Sequence, residues 1–320
     1  MREQLNSVKG RLMRSIALLI TLCAVLQLSA QTITWDSITP VATDAAINEF
    51  GTLKHYMLKP NQDAMHSLVV FLPGTYRYPG NFKFVMRQIA RLGYHVVGLS
   101  YKYDSPVNPL CRGTGDVTCH YRARMENIDG VDRHPGVFVS PANSVMNRLN
   151  KLMAYLVTNK PGQGWDQFYV DGQLQWSKII LAGHSQGGCL VGIMGKEFPA
   201  KRVVMFSAID FLDNGAIPNW VNNATNHANY YAFVHPKDEL IPFDRVKIGC
   251  DKLAMTEYGT MFDIDSNNPP YRQSHILYTN YTPVTTLVDK YHNGTCLDTY
   301  INDETEYKVS LTKAIKYLFR

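Results

Sequence analysis

Ser185 stands in the segment from Lys178 to Gly188, KIILAGHSQGG, where an apolar run gives way to Gly-His-Ser-Gln-Gly and then to helical spacing. A buried strand, a sharp turn and a helix in that order are the setting in which a serine becomes a nucleophile. The chain must reverse within a few residues, which strains the serine backbone, and side chains two positions to either side would collide. Glycine at 183 and at 187 removes those collisions. The hydroxyl then lies at the N-terminus of the following helix, whose dipole favours developing negative charge. A serine hydroxyl is nevertheless a poor nucleophile until a base takes its proton, and that base needs an orienting acid. Downstream of Ser185 the chain offers Asp210 and Asp238 as acids and His275 and His292 as bases.

Elements that could hold these groups follow a regular rhythm. Short β-rich runs at 67–72, 95–100, 178–182, 202–208, 229–235 and 275–280 read as strands. Helical patterns lie at 82–92, 140–159, 186–198 and 307–319; Ser140 and Pro141 suit the start of the second. Strand alternating with helix predicts a mostly parallel sheet covered on both faces. In such sheets active sites gather beyond the C-terminal ends of the strands. The stretch 104–139, rich in Pro, Gly, Asp and Arg, reads as irregular.

With LPGT at 72–75, GHSQGG at 183–188, HPKDELIP at 235–242 and a late histidine, the chain resembles the α/β-hydrolase superfamily, particularly its secreted bacterial esterase and lipase-like members. The likeness runs from about residue 67 to the C-terminus. It implies an α/β-hydrolase fold and the chain order serine, acid, histidine. Asp238 falls directly after the strand at 229–235 and matches the family's acid loop, with Asp210 as the alternative acid. His292 follows the strand at 275–280, at the chemically active end of the sheet, whereas His275 opens that strand at the wrong end. His292 is therefore the expected base and His275 the alternative; His184 and His235 are read as structural. An oxyanion hole needs two backbone N–H groups, and Gln186, after the nucleophile, and Thr75, after Pro73-Gly74, are the expected donors. Only about 20 residues separate 208 from 229, so no large lid domain is expected there. The 104–139 stretch could cover the site instead. Its Arg112, Arg122, Arg124 and Arg133 could favour an anionic substrate, but the reading preferred here is a solvated basic loop.

Expected chemistry is hydrolysis of a carboxylic ester on a small molecule or a polymer, through an acyl-enzyme, with no cofactor and no metal. The alternatives are a non-catalytic binding protein of the same fold, or an acyltransferase or peptidase using the same triad. There is no C-x-x-C pair and no H-E-x-x-H. Asp263-Ile-Asp265-Ser-Asn267 opens like a calcium loop but lacks the required glycine and terminal glutamate, and is read as a turn.

Arg2, Lys9, Arg11 and Arg14 precede an apolar run at 16–28, the pattern of a secretory signal peptide with cleavage after Ala30. Such a run is short for a bilayer crossing, so stable membrane insertion is not expected after cleavage, and the location is secreted or periplasmic. Residues 1–30 carry four basic groups and one acidic, so most of the net charge of +5 resides there. The remaining 28 basic and 26 acidic residues give no reason to expect nucleic-acid binding. Residues 31–320 are expected to form a single domain. Their five cysteines, in an oxidising compartment, suggest bridges Cys111–Cys119 and Cys250–Cys296 and a free, buried Cys189.

Overall fold

The computed structural model describes residues 33–222, 227–301 and 305–320. The expected signal segment, 1–30, lies outside the described residues.

Unbroken apolar runs form the middle of a nine-stranded sheet. The strands are β1 (Ile33–Ile38), β2 (His55–Pro60), β3 (Leu68–Leu72), β4 (His95–Gly98), β5 (Ile179–His184), β6 (Arg202–Phe206), β7 (Tyr230–Val234), β8 (Phe262–Asp263) and β9 (Ile276–Tyr278). Their spatial order is β1-β2-β4-β3-β5-β6-β7-β9-β8. Every residue of β3, LVVFL, and of β5, IILAGH, is buried, as a central parallel strand covered on both faces requires. Pairing is parallel from β4 through β8, while β2 runs against both of its neighbours. This is the mostly parallel α/β sheet with helices on both faces that the sequence predicts.

Helices α1 (Lys83–Arg91), α2 (Val107–Cys111), α3 (Cys119–Asp129), α4 (Val145–Asn159), α5 (Gln186–Glu197), α6 (Phe243–Lys252), α7 (Lys290–Asn293) and α8 (Thr305–Phe319) surround it. One core packs α4, α5 and α6 against one face of the sheet; a second packs α1 and α8 against the other. The start of α4 is fixed by Ser144, whose hydroxyl accepts a hydrogen bond from the Asn147 N–H at 3.2 Å. Between β6 and β7 the described residues hold short 3-10 turns and no lid domain.

Two expectations are corrected. The 104–139 stretch is not irregular throughout, because it contains α2 and α3. Cys111 and Cys119 are bridged, joining those two helices, but Cys250 and Cys296 are free and buried, as Cys189 is. The reason is the layering: Cys250 belongs to the core on one face of the sheet and Cys296 to the core on the other.

Candidate active site

Ser185 sits between the last residue of β5 and the first of α5 with φ +54° and ψ −121°, a conformation that costs an ordinary residue of order 1–3 kcal/mol. Its surroundings hold it there. The Ser185 N–H donates to the Phe206 carbonyl at 2.9 Å. A Cβ on Gly183 would lie 2.5 Å from the Gly187 carbonyl carbon, and one on Gly187 would lie 2.2 Å from the Leu72 carbonyl oxygen. Neither contact can be relieved, because backbone is on both sides. A Cβ on Gly74 would come within 3.1 Å of the Ser185 Cβ and 2.9 Å of His184 Nδ1, so the loop after β3 approaches the turn closely.

Asp238, in the loop after β7, is fixed by its own backbone: its Oδ1 accepts from the Leu240 and Ile241 N–H groups at 2.8 and 2.9 Å. The same carboxylate meets His292 Nδ1, with Oδ2 at 2.8 Å and Oδ1 at 3.0 Å. Both side chains are almost fully buried. An ionised carboxylate can only accept, so Nδ1 carries the proton and donates it. That tautomer leaves a lone pair on Nε2, which is buried and makes no hydrogen bond among the described residues. His292 lies on α7, and the start of that helix is tied down by Glu239, which accepts from the His292 N–H at 3.0 Å and the Tyr291 N–H at 3.1 Å. His184 Nε2 reaches the His292 carbonyl at 3.2 Å from the other side. A bridge from Cys296 is not needed to hold this loop, and none forms.

Ser185, His292, Thr75 and Gln186 all line one cavity of about 360 Å³. Gln186 is the first residue of α5, so its N–H has no preceding helical turn to bond. The Tyr76 N–H is committed to the Tyr103 carbonyl at 3.1 Å, whereas the Thr75 N–H makes no hydrogen bond among the described residues. The Gln186 side chain has a second duty that sequence did not indicate. Its Oε1 accepts from the Val107 N–H at 3.0 Å and its Nε2 donates to the Ser105 carbonyl at 3.2 Å, which ties the start of α5 to the segment leading into α2.

The alternative residues are engaged elsewhere. Asp210 is buried and held by Arg124 Nε and Nη2 at 2.7 and 2.5 Å, with Trp220 Nε1 at 2.9 Å. Burial opposes its charge, but the Arg124 guanidinium, with His120 close by, outweighs that and holds its pKa down to about 2. It is half of a buried ion pair and not a partner of either histidine. His275 is stacked between Tyr231 and Tyr258, with centroids 3.9 and 4.0 Å away, and its Nδ1 meets the Tyr230 carbonyl at 2.9 Å. It stands at the start of β9, the opposite end of the strand from the Ser185 cavity. His184 is buried; burial and the neighbouring His292 imidazole push its pKa well below the usual histidine value, so it stays neutral. His235 bonds the Tyr281 carbonyl and the Lys237 N–H, a structural role.

No protein-family model matches the chain, and no curated protein matches it. Among solved structures it is similar to a thermophilic esterase, Est2, from the Planctomycetes species Thermogutta terrifontis. With the native form the identity is 13%, the alignment covers 91% of this chain and 92% of that one, and the TM-score is 0.44. With the butyrate-bound form the identity is 12%, the coverages are 91% and 94%, and the TM-score is 0.45.

Among the described residues, Cys111, Cys119 and His134 come close enough together to share a metal ion. Both sulfurs are occupied by the disulfide, however, and His134 Nε2 lies 3.3 Å from Cys119 Sγ. Two further residues by the site escaped the sequence reading, Arg77 on the cavity wall and Glu239 under α7; Arg124 and Asp210 were both singled out there, but not as a buried pair. Glu239 directly follows Asp238 in the acid loop and was legible there as a second carboxylate; Arg77 had no local signal.

Proposed function

We propose that the chain is a serine hydrolase that cleaves a carboxylic ester through an acyl-enzyme intermediate. The observation that carries this reading is the Asp238–His292 pair, which leaves Nε2 of His292 buried and unpartnered on a cavity that Ser185 also lines. An unpartnered ring nitrogen alone would not carry it, since among the described residues buried His55, His95, His120 and His184 have one too; what sets His292 apart is the carboxylate on its Nδ1 and the cavity it shares with Ser185.

Ser185 Oγ attacks the ester carbonyl carbon while its proton passes to Nε2 of His292. Asp238 holds the imidazole in the required tautomer and offsets the positive charge that the ring gains. The carbonyl oxygen becomes an oxyanion held by the Gln186 and Thr75 N–H groups, at the N-terminus of α5. As the tetrahedral intermediate collapses, His292 returns the proton to the departing alcohol. Water then repeats the sequence on the acyl-enzyme, and the carboxylic acid leaves. Export through cleavage after Ala30 belongs to the same proposal. It is supported by the Cys111–Cys119 disulfide, which suits an oxidising compartment.

Labelling with a fluorophosphonate probe tests the reading on the full chain and on Ser185→Ala, His292→Ala and His275→Ala. Prompt labelling that needs Ser185 and His292 but survives His275→Ala is expected. A folded chain that takes up no probe would leave a binding protein of this fold as the better description.

A further inference from the structure

The four arginines of the 104–139 stretch do not share one fate. Arg122 pairs with Asp116 at 2.7 Å and Arg133 with Asp129 at 2.5 Å, both within the segment. Arg124 is neutralised by buried Asp210. Arg124 and Arg112 both line the Ser185 cavity, but only Arg112 does so with its charge largely unmet. Its Nη2 donates to the Leu240 carbonyl at 3.0 Å and its guanidinium lies 4.2 Å over the Phe211 ring. The nearest carboxylate, Asp213, is 3.8 Å away and mostly exposed. From the loop after β3, Arg77 lines the same cavity, half-buried, and its guanidinium has no hydrogen bond or ion pair among the described residues. Against these two cations the cavity lining holds one carboxylate, Asp289.

We propose that the substrate of this cavity is an ester bearing a carboxylate remote from the scissile bond, engaged by Arg77 and Arg112. The proposal rests on the ester-hydrolase reading for its reaction but on the arginines for its substrate class. A half-buried guanidinium without a partner offers a two-pronged donor to a carboxylate, and such charge-assisted pairs are stronger than neutral ones. A cavity of about 360 Å³ lies at the small end of ligand sites, so a short diacid monoester fits its size. Leu240, Ile241 and Pro109 line it too and accommodate the apolar spacer.

The test compares mono-4-nitrophenyl glutarate with 4-nitrophenyl pentanoate, and 4-carboxyphenyl butyrate with phenyl butyrate. These pairs place the charge on the acyl side and on the alcohol side. In at least one pair the full chain is expected to favour the charged ester by about tenfold or more in kcat/KM. That ratio should fall to near one in Arg77→Gln, recover partly in Arg77→Lys, and shrink as salt is raised from 0.05 to 0.5 M. A Ser185→Ala chain gives a readout free of turnover: it should bind monomethyl glutarate more tightly than methyl pentanoate by calorimetry. Equal kcat/KM in both pairs, or a ratio that Arg77→Gln leaves unchanged, overturns the proposal even if fluorophosphonate labels Ser185. Preferential binding of the charged ester without labelling would instead overturn hydrolysis and leave anion recognition standing.

Discussion

At the scale of single residues, the Asp238–His292 contact makes a sharp claim about protons. The carboxylate holds the proton on Nδ1; an amide in its place can donate to the ring and favour the opposite tautomer, which protonates Nε2. Asp238→Asn should therefore lower kcat on a 4-nitrophenyl ester by about 10³-fold or more while the fold is retained, as checked by circular dichroism. Glu239 acts one step further out. Its carboxylate accepts two backbone N–H groups at the start of α7 and touches no reacting atom. Glu239→Gln keeps one acceptor oxygen and should cost about tenfold, whereas Glu239→Ala frees the loop and should cost clearly more. Equal effects of the two Glu239 variants would show that the contact does not position His292. Ser185 itself was legible because its sharp turn imposes a local pattern: glycines where an added Cβ would lie within 2.5 Å of neighbouring backbone. Arg77 was not, because an unpaired guanidinium becomes visible only once all of its neighbours are in place.

Elements differed in how plainly they could be read. Strands β3 and β5 are continuous apolar runs because both of their faces are covered, and that composition is visible in any window. Helix α3 gave no such signal. It buries His120, Arg124, Glu126 and Asn127 together with apolar residues, so its buried side is not an apolar stripe of helical period. Polar residues inside were affordable there because Arg124 meets Asp210, and Glu126 accepts from the Arg133 and His134 N–H groups. β1 and β2 were passed over for a related reason: as ITWDSI, at the sheet edge, and HYMLKP, next to it, they mix polar and apolar residues. Cysteine pairing was half legible. Cys111 and Cys119 are eight residues apart, at the two ends of one short connection, while Cys250 and Cys296 are separated by the sheet, which no spacing rule records. Alkylation of the unreduced, denatured chain should accordingly modify the peptides holding Cys189, Cys250 and Cys296. Cys111 and Cys119 should react only after reduction. A linked Cys250–Cys296 peptide in the mass spectrum would contradict the layering.

For the whole molecule, buried titratable groups set the response to acid. Burial holds His275 down to about 4, and burial together with the Arg148 charge holds His55 down to about 3, both against an ordinary value of 6.5. Each is depressed in the folded chain, so its stabilising share is complete above pH 6.5. That share drains away as pH falls towards the folded value, because the unfolded chain takes up the proton first. Asp210, held near 2 by Arg124, has the same sign in a lower window, between about pH 4 and pH 2. Unfolding free energy should therefore fall on acidification from pH 6.5, by about 1.4 kcal/mol per pH unit for each histidine between its unfolded and folded values. His275→Phe isolates one of the two: an aromatic ring can still stack between Tyr231 and Tyr258, while the ionisable group is gone. Urea unfolding at pH 7, 5.5 and 4.5 should show a lower stability for the variant at pH 7, from loss of the bond to the Tyr230 carbonyl. Between pH 6.5 and 4.5 its slope should be shallower than that of the parent chain by about 1.4 kcal/mol per unit. Parallel slopes would mean that His275 titrates normally in the folded chain, and that its place between two tyrosines does not shield it from water.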